Sequence, residues 1–384
     1  MTSIKLKSKV LIFIDWFFPG DKAGGPIRSC ANLMDHLGND FDFSVVTRDT
    51  DYTETKSYSG ITSDAWNILP DGKRVYYISA NQLNKETISK LLSEEKYDVV
   101  YLNGIWSQAF TAWPMKQLKK LKFKGKVIVA ARGMLAPSAL AIKATKKKLY
   151  LHLSKWRNDF SNVIFHASNL QEASDIRKVI GDKNQILIAG NLPRKISEST
   201  QHTSKSSGKL RIISVARIAP EKNTLYAIEV LSKVKVAVES DFYGPIYNEE
   251  YWKECKAATE KLPSNVKLNF MGSIPSENIL NTLAQYDLFF LPTRGENFGH
   301  VILESLQAGT PVLISDQTPW KNLEYLKVGW DLPLESQEQF VKTIEGMVNL
   351  QIEEFVKLSE NAIRFSEDYA TSEMLIEENK KLFV

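Results

Sequence analysis

Along this chain, apolar runs of four to seven residues alternate with longer stretches in which the apolar positions fall on one helical face. The short runs end in polar or glycine-bearing loops and read as buried strands, while the longer stretches read as amphipathic helices. A strand covered on both faces loses the alternation of a half-exposed one, so this pattern predicts parallel sheets layered between helices. The predicted strands of the first half are KVLIFID (9 to 15), FSVVT (43 to 47), DVVYLN (98 to 103), KVIVAA (126 to 131) and VIFHAS (163 to 168). The second half restarts with LRIISVAR (210 to 217), ESDFYGP (239 to 245), VKLNFMG (266 to 272), DLFFLPT (287 to 293) and TPVLISD (310 to 316).

Between the halves, ISESTQHTSKSSGK (196 to 209) is nearly empty of core residues and reads as a linker. The expectation is an α/β protein of two Rossmann-like parallel-sheet domains, 1 to 195 and 210 to 365, facing a central cleft. The helix-like segment 366 to 384 either caps the second domain or crosses back to the first, and crossing back is the favoured reading.

Bulk properties narrow the function. A chain of 384 residues exceeds what one core usually serves, and 43% hydrophobic with 24% charged residues is a globular composition. Forty-nine basic against 45 acidic residues, a formal net charge of +4, is too balanced for a dedicated nucleic-acid binder. Cys30 and Cys255 lie outside any metal or redox spacing and read as packed free thiols in a reducing cytoplasm. The opening MTSIKLKSKVLIFIDWFF carries Asp15 inside its apolar run and no small-residue cleavage site, so it reads as a first strand rather than a leader. Nowhere do eighteen uncharged apolar residues run together. His36, His152, His166, His202 and His300 show no metal spacing; His166 reads as packed or acceptor-side and His300 as near the donor.

In sheets of this kind ligands bind outside the carboxyl ends of the strands, so the loops there are where chemistry is sought. Neither a G-x-G-x-x-G nor a P-loop motif is present. Gly24 and Gly25 follow the first strand and precede a helix, which suits close approach to a phosphate or sugar, or marks an ordinary turn. Arg217 and Lys222, in ARIAPEKN, flank a strand-to-helix turn where fixed cations and backbone donors suit a diphosphate; the plainer reading is solvated surface charge. Glu296 lies on the loop after DLFFLPT, with Asn297, Phe298 and Gly299 beginning the next helix and Glu304 expected a little over two turns into it. Paired carboxylates admit two readings. One is glycoside hydrolysis. The other is a clamp in which carboxylates hold sugar hydroxyls while cations hold phosphates, and only the clamp gives the cation pair a role.

RGENFGHVILE is similar to the E-x7-E motif of retaining GT-B glycosyltransferases, in particular family 4, and ARIAPEKN and FYGP resemble that family's donor-domain landmarks. FFPGDKAGGPIRS, LNGIWS, RGMLAPSALAIKATKKKLY, FHASNLQEASDIRK and TPWKNLEYLKVGWDLPL resemble its bacterial surface-polysaccharide members. The resemblance implies that Arg217 and Lys222 bind the donor diphosphate and that Glu296 binds hydroxyls of the transferred sugar. It places the Asn297, Phe298 and Gly299 amides on sugar and phosphate, Glu304 on the ribose, Gly24 and Gly25 on the diphosphate, and backbone around Ser273 and Ile274 on the base. Relatives often carry His where this chain has Asn103 and Arg132, which leaves those two as acceptor-side candidates. The implied reaction is metal-independent transfer from a UDP- or GDP-sugar to a hydroxyl of a growing, lipid-linked saccharide, with no cofactor.

Three rivals stay open. Asp49 and Asp51, in TRDTD, form the D-x-D triplet of a metal-dependent transferase, though such triplets are common in polar loops. A sugar-nucleotide epimerase would use the same fold. A membrane-associated binding protein would use the basic runs 116 to 126 and 143 to 157, with Trp156, Tyr150 and Leu151 at an anionic lipid surface on the inner membrane face; these runs also read as solvated helix faces.

Overall fold

The structure is a computed structural model that describes residues 7–141, 144–195 and 208–384. Two compact units divide it, Met1–Leu192 with Ser372–Val384, and Pro193–Thr371. The linker expected at 196 to 209 lies outside the described residues except for Gly208 and Lys209.

The first unit is built on an eight-stranded sheet. Its strands are β1 (Ser8–Phe13), β2 (Phe41–Arg48), β3 (Ala65–Ile68), β4 (Arg74–Ile78), β5 (Val99–Asn103), β6 (Lys126–Ala130), β7 (Ile164–Ala167) and β8 (Ile186–Ile188), in the order β3-β4-β2-β1-β5-β6-β7-β8. Every neighbouring pair is parallel except β3 with β4. Helices α1 (Gly25–Leu37), α2 (Lys85–Glu94), α3 (Trp113–Lys120), α4 (Pro137–Ala141), α5 (Ala144–Trp156) and α6 (Leu170–Ile180) connect the strands. Three strands here lack the signature of a buried run. Ala65–Ile68 is a half-exposed edge, Arg74–Ile78 starts on a charged residue, and Ile186–Ile188 has only three positions.

The second unit has six parallel strands, β9 (Leu210–Val215), β10 (Val238–Tyr243), β11 (Val266–Gly272), β12 (Leu288–Leu291), β13 (Val312–Ser315) and β14 (Gly329–Leu332), in the order β11-β10-β9-β12-β13-β14. Renumbered from β9, this is the 3-2-1-4-5-6 order of the doubly wound nucleotide-binding sheet. Helices α7 (Thr224–Leu231), α8 (Glu249–Thr259), α9 (Ile279–Leu283), α10 (His300–Gln307), α11 (Gln337–Asn349) and α12 (Ile352–Ala370) complete it. The strand LFFL shows why its sequence has no polar alternation. Leu288 and Phe290 enter one core cluster with Ile212 and Phe340, while Phe289 and Leu291 enter another with Ile213 and Ile302. Both faces are therefore covered, and truncating Phe290 to alanine costs about 3–5 kcal/mol.

The segment 366 to 384, read above as one helix, is broken at Thr371. The preceding residues finish α12, and α13 (Glu373–Lys380) belongs to the first unit. Phe383 packs 5.3 Å from Phe41, 5.5 Å from Phe43 and 5.8 Å from Tyr101, and Asn379 donates to the Gly190 carbonyl at 2.8 Å.

Candidate functional site

In the second unit β9 and β12 are neighbours, and the strand order runs outward from them in opposite directions, which makes the gap beyond their carboxyl ends the topological switch point. Arg217 lies two residues past β9, and Lys222 ends a short 3-10 turn, Pro220–Lys222. Asn223, at φ +61°, then turns the chain into α7. From β12 the chain runs through Thr293 to Glu296. Thr293 Oγ1 donates to the Glu221 carbonyl at 3.0 Å, and the Arg294 amide donates to the same oxygen at 2.9 Å. These bonds tie the two loops together, and Lys222 Nζ reaches a Glu296 carboxylate oxygen at 2.5 Å. Arg217 forms a more exposed pair with Glu221 at 3.1 Å. Ser315, at the end of β13, donates to the Thr293 carbonyl at 2.5 Å, and the Glu296 amide donates to Gln317 at 3.0 Å, which fixes the height of the glutamate above the sheet.

Helix α10 starts at His300, with Gly299 at φ +78° as its left-handed cap, rather than at Asn297. Glu304 is consequently a little over one turn into the helix, not two. It is 4% exposed, and the residues around it from Ile302 to Gln307 are buried as well. Phe298 is held by an aromatic cluster, with Trp320 at 5.2 Å and His300 at 4.7 Å, and its carbonyl accepts from the Trp320 indole at 2.5 Å. That anchoring sets the backbone from Asn297 to Gly299, immediately before the start of α10.

Gly244 closes the floor near β9. A side-chain carbon on it would stand 1.8 Å from the Ala216 carbonyl oxygen, and its amide donates to the Gly272 carbonyl at 2.8 Å. FYGP therefore needs glycine at this place. Past Gly272, Ser273 is exposed and Ile274 half-buried on the loop after β11.

The first unit carries its own polar group at the equivalent place, beyond β1 and β5. Gly24, at φ +74°, caps α1, and Gly25 is the first residue of that helix. Asp15, just past β1, accepts from Ser107 at 2.9 Å and meets Arg48 at 3.5 Å. Burial raises its carboxyl pKa, against the pull of Ser107 and Arg48. Arg48 and Ser107 were not singled out from sequence, and Asp15 was noted only as the charge that ends the apolar run KVLIFID, not as a site residue.

Arg132, just past β6 at φ +52°, is the hub of a network. Its guanidinium donates to Asn103 at 2.7 Å, Asn191 at 2.6 Å and the Tyr101 hydroxyl at 2.8 Å. His166 Nε2 stands 2.9 Å from the Ala189 carbonyl, which can only accept, so Nε2 carries the proton and Nδ1 accepts from Tyr101 at 2.7 Å. Burial, then the Arg132 charge, lowers the His166 pKa to about 3, and it is neutral. Among the described residues the Asn103 amide nitrogen has no acceptor. The D-x-D pair is engaged in loop bracing: Asp49 accepts from Ser57 and Ser63, and Asp51 from the amides of Asp21, Lys22 and Tyr52. Among the described residues no group of three or more His, Cys, Asp or Glu side chains is arranged to hold a metal.

Two Rossmann-like parallel-sheet units, the second with cations and carboxylates at its switch point, define the GT-B class of fold. Residues 195–365 match the family model for glycosyl transferases group 1. The chain is similar to an uncharacterized glycosyltransferase of Methanocaldococcus jannaschii, at 22% identity over 79% of this chain and 80% of that one. It is also similar to the alpha-monoglucosyldiacylglycerol synthase of Streptococcus pneumoniae, at 24% identity over 82% of this chain and 72% of that one. Among solved structures, Anabaena HepE in complex with UDP and glucose superimposes with a TM-score of 0.71 at 15% identity, over 98% of both chains. Together these matches support a glycosyltransferase.

Proposed function

We propose that the chain transfers a sugar from a UDP- or GDP-sugar to a hydroxyl of a growing, lipid-linked saccharide in surface-polysaccharide synthesis, with retained anomeric configuration and without a metal, as a member of family 4. The observation that carries this reading is the Lys222–Glu296 pair beside Arg217 at the switch point of the second unit. A hydrolytic carboxylate pair has no use for those cations, whereas a sugar diphosphate needs both kinds of group.

In this reading Arg217 and Lys222 hold the diphosphate, the Asn297 to Gly299 amides contact sugar and phosphate, and Glu296 accepts from the sugar hydroxyls. Glu304 takes the ribose, and backbone at Ser273 and Ile274 takes the base. The exposed Arg217–Glu221 pair is weak and gives way to phosphate at little cost. The bond from the anomeric carbon to the phosphate oxygen breaks with its electron pair left on that oxygen. The acceptor oxygen bonds to the same carbon from the same face, and its proton passes to the departing phosphate. Negative charge grows on that phosphate in the transition state, so the two cations bind it more tightly there than in the ground state. Asn103 and Arg132, at the ends of β5 and β6, and Asp15 beyond β1 supply the polar groups on the acceptor side. The S. pneumoniae relative, named for a glycolipid product, supports the lipid-linked acceptor, and the UDP complex of HepE supports the donor class.

Thermal melting against UDP-, GDP- and ADP-sugars tests the donor, because a ligand that binds only the folded state raises the midpoint. Absence of any shift overturns the reading. Product analysis with and without acceptor, in the presence of EDTA, then separates transfer from epimerisation and from metal-dependent transfer.

A further inference from the structure

Trp320 lies on the loop between β13 and β14 and is 6% exposed, so whatever it does at the switch point it does through another residue. Its indole N–H donates to the Phe298 carbonyl at 2.5 Å. That carbonyl and the Gly299 amide belong to one peptide unit, which is planar and trans. In a trans unit the C=O and the N–H point in opposite directions. The single bond from Trp320 therefore fixes the plane of the unit and aims the Gly299 N–H away from the indole. Gly299 itself, at φ +78°, has no room for a side chain, since a carbon there would stand 2.7 Å from the end of Ile302.

The indole is held from several sides. Thr318 Oγ1 accepts from the Trp320 amide at 3.2 Å and donates to its carbonyl at 3.3 Å. Tyr369 and Phe365, both from α12, pack on the ring at 5.2 and 6.2 Å. Asp331, in β14, accepts from the Asn322 and Leu323 amides at 3.2 and 2.8 Å and pins the far side of the loop. A buried indole needs a partner for its N–H in any core. Here the partner is the carbonyl that precedes the cap of α10, between Glu296 and Glu304.

We propose that Trp320 is a positioning residue for the donor: through the Phe298 carbonyl it aims the Gly299 N–H at the anionic oxygens of the sugar diphosphate. The inference rests on the reading of a nucleotide-sugar at this switch point and adds to it a buried residue that touches no substrate. Direction matters because a hydrogen bond weakens steeply once the donor turns away from its acceptor.

Trp320→Phe keeps a ring in the cluster and removes the N–H, whereas Phe365→Leu loosens the same cluster and leaves the N–H in place. Calorimetric titration with the nucleotide-sugar that gives the largest melting shift, beside thermal melting of each variant, separates aiming from packing. Trp320→Phe is expected to bind that donor about tenfold more weakly. Its affinity for the free nucleoside, whose base and ribose sit elsewhere in this reading, stays that of the wild type. Phe365→Leu is expected to melt lower and to bind the donor as the wild type does. Thr318→Val loosens Trp320 only through its backbone and is expected to weaken donor binding by about threefold, which gives the answer should Trp320→Phe not fold. Wild-type donor affinity in Trp320→Phe or, failing that variant, in Thr318→Val overturns the inference and leaves the donor reading standing. An equal loss of donor affinity in Phe365→Leu, or a parallel loss for the nucleoside, assigns Trp320 to the core alone and overturns it too. A wild type that binds no nucleotide-sugar overturns the donor reading and this inference with it.

Discussion

Lys222 and Glu296, 74 residues apart, meet at 2.5 Å and so join the loop beyond β9 to the loop beyond β12. The pair presents the ammonium and the carboxylate as one unit, each holding the other in place. Lys222→Ala is expected to lower kcat/KM about a hundredfold and to leave Glu296 without its partner. Because the two act together, Lys222→Ala/Glu296→Ala should fall little below the worse single variant. Steady-state transfer kinetics check both statements, and a folded Lys222→Ala enzyme with the full rate would sink the assignment.

Gly244→Ala is expected to damage the floor of the same site. The added carbon would meet the Ala216 carbonyl at 1.8 Å, backbone against backbone, so the strand ends must separate. An overpacking cost of about 1–3 kcal/mol follows, readable as a lower denaturant midpoint together with weaker nucleotide-sugar binding. Gly24→Ala makes a useful contrast, since space there is open and only the positive φ resists it.

His166 predicts a pH dependence. Its unfolded value is near 6.5 and its folded value about 3. Between those limits the unfolded chain binds a proton that the folded chain refuses, so stability falls as pH drops below about 6.5, by up to ~1.4 kcal/mol per unit, and is indifferent to this group above it. Urea denaturation of the wild type and of His166→Gln at pH 7.5 and 5 isolates the effect. The variant should be less stable at pH 7.5 and lose less on acidification; equal losses would refute the assignment.

Arg132→Lys should not behave as a conservative change. One ammonium cannot reproduce three directed bonds to Asn103, Asn191 and Tyr101. A loss of about 3 kcal/mol in the first unit is expected, with the nucleotide-sugar melting shift of the second unit retained. Calorimetry, which follows the two units separately if they melt apart, distinguishes this from a loss of donor binding.

How much of this was legible depends on whether a feature is local in sequence. The run LFFL announces its burial because both neighbours along the strand are apolar, and a strand end followed by Arg217 and Lys222, or by Glu296, announces a loop worth reading. The start of α10 was misjudged by three residues because Phe298 looks like the first core position of a helix, whereas it belongs to an aromatic cluster with Trp320 and His300. The residues Asn103, Arg132 and His166 were each noted in the sequence, but the bonds that join them through Tyr101 and Asn191 were not legible there. The residues around Arg132 come from β5, β7 and the loop beyond β8, and only the sheet order brings them together. Half-exposed edges such as β3 carry too weak a hydrophobic signal to be separated from loop.

The break at Thr371 bears on the order in which the protein can be made. Most of the first unit leaves the ribosome first, yet Phe41, Phe43 and Tyr101 of its sheet pack against Phe383, which is made after the second unit. The second unit, whose residues are contiguous, can close its core while the first still waits. Synthesis thus finishes the later-made half before the earlier-made one, and a chain stopped after Thr371 should keep a folded second unit attached to an unfinished first.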